Sequence, residues 1–102
     1  DFTDVRDVIA AYECLVRQGH AGETYNVGAG NAYSIQDILD QIIALSGQEI
    51  RVEVEAERLR PIDVPIISAD ITKITEHTDW TRKISLEMTL EDTLNYWREQ
   101  IL

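Results

Sequence analysis

Arg60 and Asp63, three residues apart, are the side chains of this chain whose types and spacing best suit ligand binding. The planar guanidinium group of an arginine can donate to two phosphate oxygens at once. A carboxylate nearby can accept hydrogen bonds from a pair of ribose hydroxyls. Pro61 and Pro65 restrict the backbone beside the pair, which would hold both side chains in a fixed arrangement. The sequence therefore predicts that this pair binds a nucleoside diphosphate.

The alternative for Arg60 and Asp63 is a surface ion pair beside a proline turn, which would contribute about 0–1 kcal/mol and bind nothing. Ligand binding is favoured because Arg58 and Arg60 form a small basic spot in an acidic chain. His20 and His77 are far apart in sequence and lack ligands at metal spacing, so we interpret them as surface or capping residues. The chain lacks a complete catalytic set, so we predict half of a binding site and no catalytic residue.

Length and composition limit the possible classes of protein. With 102 residues, the chain can form one modest core. Nine Lys and Arg against nineteen Asp and Glu give a net charge of −10, which argues against nucleic acid and anionic membrane surfaces as partners. No apolar run is long enough to cross a bilayer. The single cysteine, Cys14, cannot form an internal disulfide, which favours a cytoplasmic setting. Because the first residue is Asp rather than Met, we expect a piece of a longer protein.

Capping residues and apolar side chains that recur every three or four positions predict four helices. The first two helices are predicted at residues 5–18, capped by Asp4, and at residues 35–46, capped by Ser34. Asp70 is predicted to cap a short helix that ends at about Thr78, and Ser85 to cap the last helix. The buried stripe of the first helix is expected to contain Val8, Ile9, Tyr12, Leu15 and Val16. Trp80 and Trp97 are interpreted as core aromatic residues.

Two segments have the composition of β-strands. Residues 23–27 form a short β-prone run, and residues 50–55 alternate strictly between apolar and charged side chains. Strand, helix and strand in this order imply a right-handed crossover between parallel strands. Residues 64–68 are expected to be a further extended segment. The predicted fold class is therefore α/β (a mixed α+β fragment), with a short mixed sheet, a βαβ unit and about four helices.

The turn Gly28-Ala29-Gly30 lies between a predicted strand and a predicted helix, as a dinucleotide-binding loop does. That fingerprint needs a third small residue three positions later, where the helix packs close to the pyrophosphate. The residue there is Tyr33, and the helix begins only after Ser34. We therefore favour an ordinary glycine-rich turn.

Taken in order, several motifs resemble the extended short-chain dehydrogenase/reductases, the NAD-dependent epimerases and dehydratases of nucleotide sugars. The motifs are Asp1-Phe2-Thr3-Asp4-Val5-Arg6-Asp7, Tyr25-Asn26-Val27-Gly28, Ser34-Ile35, the run 59–65, Trp80 and the Ser85-Leu86-Glu87 helix. The resemblance covers essentially the whole chain, as the C-terminal third of such an enzyme. It is strongest to the GDP-mannose branch, which includes GDP-4-keto-6-deoxymannose reductases and GDP-mannose 4,6-dehydratases.

The resemblance implies that residues 1–102 are a single C-terminal nucleotide-sugar-binding part, and that the Rossmann domain is absent. NAD(P) and the Tyr/Lys pair that handles the proton would belong to the missing N-terminal part. In the family, the arginine matching Arg60 binds the diphosphate, and the acid matching Asp63 binds the ribose. Asp79 and Arg82 depart from the usual Gly and Pro.

The implied partner is a GDP-sugar, and a homo-oligomer remains open. The alternatives are another nucleotide-sugar epimerase or dehydratase, or a non-catalytic nucleotide-binding module.

Overall fold

The structure, a computed structural model, describes residues 1–53, residue 55 and residues 65–101. Within this part, the chain forms four helices. They are α1 (Val5–Gln18), α2 (Ile35–Ser46), α3 (Thr72–His77) and α4 (Leu86–Ile101). The four predicted helices are thus confirmed. No helix of the described residues has both the length and the apolar character needed to cross a membrane.

The predicted capping residues hold the starts of these helices. Each accepts a hydrogen bond from a backbone amide two or three residues later, which satisfies a group without a partner inside the helix. The pairs are Asp4 with Arg6, Ser34 with Asp37, Asp70 with Thr72 and Ser85 with Met88. For α3 the predicted cap was wrong by one residue, because Ile71 is at the cap position and Asp70 precedes it. At the other end of α2, Gly47 adopts the left-handed conformation with φ of 68°. The helix ends were predictable because these signals are local.

The predicted sheet is not found in the described residues, so the βαβ unit and the mixed sheet were wrong. Residues 23–27, 50–53 and 65–68 contain no strand. Ile50 and Val52, expected to share a buried face, are both about half exposed. Alternation of side chains indicates what a strand could bury, but a strand also needs a second backbone to pair with. None of the described residues supplies one. Residue 54 of the predicted strand 50–55 and residue 64 of the predicted segment 64–68 lie outside the described part.

The described core is small and joins α1 to α3. Ala11, Ile74 and Trp80 are its buried centre, with exposed fractions of 0%, 0% and 3%. Cys14, Leu15, Tyr25, Val27 and Ile71 pack around it. The indole N–H of Trp80 donates to the Asp7 carbonyl oxygen at 2.9 Å, so its polar atom has a partner. The core role predicted for Trp80 is confirmed.

Asp7 is a buried carboxylate that ties the loop after Trp80 to α1. Its two carboxylate oxygens accept from the backbone amides of Lys83 and Ile84 at 3.2 and 3.0 Å. Together with the indole bond to its carbonyl, Asp7 receives three hydrogen bonds from residues 80–84. Burial of a carboxylate is tolerated where such donors replace water.

Several apolar positions predicted to be buried are exposed. On α1, Ile9, Tyr12 and Val16 are more than half exposed, while Ala11 on another side of the helix is buried. Trp97, near the end of α4, is 54% exposed, so its predicted core position was wrong. No residue of α2 is fully buried, although α2 packs against α4. These side chains lie on helix faces that no other described element covers.

Candidate functional site

The carboxylate of Asp1 lies where three segments of the chain meet. It accepts hydrogen bonds from the backbone amides of Ala29, Gly30 and Ala69, each at 3.0 Å, and from the Thr3 hydroxyl at 3.1 Å. The backbone nitrogen of Asp1 also donates to the Ile67 carbonyl oxygen at 2.8 Å. We call this arrangement the Asp1 junction. It fixes residues 28–30 and 67–69 relative to each other.

Glycine is required in this junction by space and by backbone conformation. A Cβ atom on Gly28 would lie 2.5 Å from the Cβ of Ala69 and 3.1 Å from Oδ2 of Asp1. Gly30 has a φ of 80°, a region that side chains with a Cβ rarely adopt. The glycines thus allow two backbone segments to approach a carboxylate closely.

The same contacts test whether the Gly28-Ala29-Gly30 turn could hold a dinucleotide cofactor. A phosphate-binding loop offers free backbone amides to the pyrophosphate. Here the amides of Ala29 and Gly30 are already bonded to the carboxylate of Asp1. An anionic side chain occupies the position that a phosphate would need. These two amides are therefore not free to bind a pyrophosphate.

A surface groove of about 410 Å³ lies beside the Asp1 junction. Its lining residues are Asp1, Ala32, Tyr33, Ser34, Pro65, Ile66 and Ile67. Pro65 is the last residue of the run 59–65, which contains both predicted ligand-binding residues. We call this the Pro65 groove. Its walls can offer apolar contact and the Tyr33 hydroxyl, while the Ser34 hydroxyl already accepts from Asp37.

Arg60 and Asp63, the two predicted substrate-binding residues, lie outside the described residues. Their predicted roles therefore stay predictions. Among the residues that the structure does describe, no group of three or more His, Cys, Asp or Glu side chains could hold a metal ion.

The two histidines, which are far apart in sequence, form a cluster with Tyr25. Their rings stack with centroids 3.9 Å apart. The Tyr25 hydroxyl accepts from the backbone amide of His20 at 2.9 Å and is bonded to Nδ1 of His77 at 2.8 Å. The prediction treated the histidines separately and missed this pairing. The one available signal was that each follows or ends a helix, at the carboxyl ends of α1 and α3.

Lys73 lies next to this cluster, with its amino group 5.7 Å from the centre of the Tyr25 ring. Its amino group is 2.9 Å from a carboxylate oxygen of Glu23 and also donates to the Thr24 carbonyl oxygen at 3.1 Å. The hydrogen bond from Lys73 lowers the pKa of Glu23 below its ordinary value. Lys73 is therefore held by the 23–24 segment and is not a free cation for a ligand.

A second charged cluster joins α1 to α4. Both Arg6 side-chain nitrogens that face Asp4 donate to its carboxylate, at 2.9 and 2.8 Å, and the Thr89 hydroxyl donates to it at 2.7 Å. Arg6 also reaches Asp92 at 2.8 Å. The hydrogen bonds from Arg6 hold the pKa of Asp4 far below its ordinary range, and those to Asp4 and Asp92 raise the pKa of Arg6. This cluster connects two helices, and we assign it a structural role.

Comparisons with known proteins place these features in context. A family model described as GDP-mannose 4,6 dehydratase matches residues 1–93. The chain is 26% identical to the GDP-6-deoxy-D-mannose reductase of Pseudomonas aeruginosa over 99% of its own length and 33% of that protein. It is 30% identical to a UDP-glucose 4-epimerase of Caenorhabditis elegans over 94% of its own length and 30% of that protein.

Two solved structures of enzymes have the same fold as this chain over its matched length. RMD from Pseudomonas aeruginosa, complexed with NADPH, matches with a TM-score of 0.92 and 25% identity, over 99% of this chain and 33% of that chain. A dTDP-glucose 4,6-dehydratase from Bacillus anthracis in complex with NAD matches with a TM-score of 0.77 at 22% identity. These neighbours are Rossmann-type enzymes. The chain spans about a third of the length of the relatives it matches.

Proposed function

Because this chain belongs to the GDP-mannose 4,6 dehydratase family, as its motifs indicated, we propose that it is the substrate-binding part of an NAD(P)-dependent enzyme that modifies a GDP-sugar. The observation that carries the proposal is the family match over residues 1–93. The match to GDP-6-deoxy-D-mannose reductase over nearly the whole chain supports the same substrate class. The enzyme would be longer than this chain, which would be one unit, residues 1–102, without the cofactor-binding domain.

In this proposal the substrate lies along the Pro65 groove and the run 59–65. Arg60 would bind the diphosphate with its guanidinium fork, and Asp63 would accept from the ribose hydroxyls. The groove supports this placement because Pro65, two residues after Asp63 in the chain, forms part of its wall. The Asp1 junction would keep the two walls of the groove in register while the ligand binds.

The role of this chain is to position the substrate. The amides of the Gly28-Ala29-Gly30 turn are already bonded to Asp1, so this turn does not fit NAD(P). We therefore assign the cofactor to a part of the intact enzyme that corresponds to the other two thirds of the relatives. The related structures complexed with NADPH and NAD support such a cofactor for the intact enzyme. A diphosphate held away from the reacting sugar can supply binding energy that orients the sugar. No chemical step is assigned to the residues of this chain.

The test is the variant Arg60→Ala in the intact enzyme, with Arg17→Ala as the matched control. Arg17 is an exposed arginine of α1, 3.5 Å from Glu13, and lies outside the groove. We expect Arg60→Ala to weaken GDP binding by about 1.5–3 kcal/mol, roughly 10- to 150-fold, as for a lost hydrogen bond to a charged group. Calorimetric titration with GDP measures it. Unchanged affinity, KM and kcat in Arg60→Ala would refute the assigned role.

A second candidate substrate class is favoured by the similarity to UDP-glucose 4-epimerase, whose identity of 30% is no lower than that to the reductase. The base of the nucleotide is therefore tested separately. Titration of the wild-type enzyme with GDP-mannose and with UDP-glucose distinguishes the two classes by affinity. Binding of GDP-mannose, with no turnover of GDP-mannose or of GDP-4-keto-6-deoxymannose in the presence of NAD(P) or NAD(P)H, would instead indicate a non-catalytic nucleotide-binding module.

A further inference from the structure

Two histidine side chains join the end of α1 to the end of α3. The rings of His20 and His77 stack with centroids 3.9 Å apart and planes 18° apart. The Tyr25 hydroxyl bridges the two residues, since it accepts from the backbone amide of His20 and is bonded to Nδ1 of His77. We call His20, Tyr25 and His77 the histidine latch. Histidine is the side chain whose charge ordinarily changes between about pH 5 and 8, so the contact contains two proton-binding groups.

A second contact lies beside the histidine latch. The side-chain amide of Gln18 donates to the Asp79 carboxylate at 2.8 Å and accepts from the Asp79 backbone amide at 2.8 Å. Gln18 is the last residue of α1, and Asp79 is two residues beyond α3. The latch and this pair together hold the two helix ends against each other. Because His20 is exposed and His77 is half-buried, protons from solvent can reach both rings.

The hydrogen bonds of the latch fit a neutral His77. Because the Tyr25 hydroxyl accepts from the His20 amide, its own proton can be donated to Nδ1 of His77. This assigns the ring proton of neutral His77 to Nε2. In a charged His77, Nδ1 carries a proton and can only donate. The hydroxyl would then lose the acceptor of its own proton.

The charges around the latch favour one positive ring and oppose two. The hydrogen bond from Lys73 lowers the pKa of Glu23, and the charges of His77 and His20 contribute to the same effect. Glu23 is thus near both rings, but its carboxylate is already bonded to Lys73. Two positive rings stacked at this distance would repel each other. The other charged residues close in sequence to the latch are Arg17, which is paired with Glu13, Glu76 and Asp79.

We propose that the histidine latch is a pH-sensitive fastening of α3 to α1, closed while at most one ring carries a proton and opened when both do. The open form takes up the second proton more readily than the stacked form. Protons therefore favour opening, and the latch weakens as pH falls. The near-parallel rings direct their nitrogen lone pairs along separate planes, so the pair is not arranged to share a metal ion. The proposal goes beyond substrate binding and does not depend on it.

Residue-resolved hydrogen exchange on the intact protein at about pH 7.5 and about pH 5 measures the latch. The reporting amides are those of His20 and Asp79, which donate to the side chains of Tyr25 and Gln18. After correction for intrinsic rates, we expect their protection to be about tenfold weaker at the lower pH. The amide of Asp37, whose acceptor is the cap of α2, should be unchanged. Equal protection at both pH values, or an equal loss at Asp37, would overturn the proposal.

The nearby carboxylates whose pKa is lowered do not account for a change in this pH range. Arg6 holds the pKa of Asp4 far below its ordinary range. Hydrogen bonds from Lys73 and from Thr72 lower the pKa of Glu23 and of Asp70 below ordinary values of 4.5 and 3.8. These three carboxylates stay ionised at both pH values, so they do not change charge during the experiment.

The variant His20→Phe separates the charge from the stack. Phenylalanine keeps an aromatic ring beside His77 and cannot take up a proton, and a charged His77 would be attracted to the face of that ring. His20 is exposed, and the backbone amide that donates to Tyr25 is kept, so the packing changes little. We expect the difference between the two pH values to disappear. If the wild type and His20→Phe lose protection equally, other groups cause the change and the proposal fails.

Discussion

At the residue scale, single side chains that accept several hydrogen bonds organise this chain. Asp1 accepts from three backbone amides and a hydroxyl. Asp7 accepts from the loop after Trp80, beside the core, and Asp4 accepts from Thr89 of α4. The capping role of Asp4 was predictable because its partner is two residues away. The role of Asp1 was not, because its amide partners lie 28 to 68 residues further along the chain.

Gly28→Ala should destabilise the Asp1 junction. The new methyl group would lie 2.5 Å from the Cβ of Ala69, so one segment must shift. We expect a loss of about 1–3 kcal/mol, as in other overpacked sites. Thermal unfolding of the intact protein measures the loss. The double variant Gly28→Ala/Ala69→Gly should recover part of it, and no recovery would show that the contact with Ala69 is not the cause.

The ion pair of Asp4 predicts how the stability of α1 depends on pH. Arg6 lowers the pKa of Asp4 in the folded state from an ordinary value of 3.8, so the ionised form is favoured by folding. The stabilisation is complete above that ordinary value and declines as pH falls toward the lowered pKa. Hydrogen exchange of α1 amides, corrected for intrinsic rates, should show weaker protection at about pH 3 than at about pH 6. In Asp4→Asn this difference should shrink, and an undiminished difference would assign it to other groups.

At the scale of elements, the helices were predictable and the strands were not. Capping residues and the three-to-four-residue spacing lie within each helix, so α1 and α2 begin and end where predicted. A strand depends on a second segment, and residues 23–27 and 50–53 have none among the described residues. The prediction that Ile9, Tyr12 and Val16 of α1 are buried was also wrong. Burial, like strand pairing, depends on a second element, and none of the described elements covers this face.

Asp7→Ala should detach the loop after Trp80 from α1. The variant leaves the amides of Lys83 and Ile84 without their acceptor. Because these amides are only partly buried, we expect a loss of about 1 kcal/mol for each, the low end of the range for an unpaired donor. The emission of Trp80 should shift to longer wavelength as water reaches the indole, against the background of the exposed Trp97. Glu13→Ala, at an exposed position of the same helix, is the control. Equal spectra for the two variants would contradict the role of Asp7.

At the scale of the whole molecule, the ordered set of motifs was more informative than any one of them. The family was identified from short segments spread from Asp1 to the Ser85-Leu86-Glu87 helix, and the family match over residues 1–93 confirms it. The roles of Arg60 and Asp63 stay predictions, and the candidate groove was not predictable as a whole. The run 59–65 was singled out, but the groove beside Pro65 depends on Asp1 and Tyr33, which no local pattern connects.

Asp63→Ala tests how the proposed nucleotide contacts are divided. Removing the carboxylate should weaken GDP binding less than Arg60→Ala does, because the ribose hydroxyls are neutral partners and the diphosphate is charged. Affinity for inorganic pyrophosphate, which has no ribose, should be unchanged. Titration calorimetry with both ligands measures the two effects. A loss of pyrophosphate affinity equal to that of GDP would place Asp63 in a general structural role.

The Asp1 junction also has a consequence for the order of folding. The contact of Asp1 with Ala69 closes a loop of 68 residues, whereas α1 and α2 depend on contacts within a few residues. Loops of that length close late, because the entropy lost is not offset until several distant contacts form together. The Pro65 groove would therefore be completed after the helices during folding. A nascent chain that ends before residue 69 would contain both helices and have no finished groove.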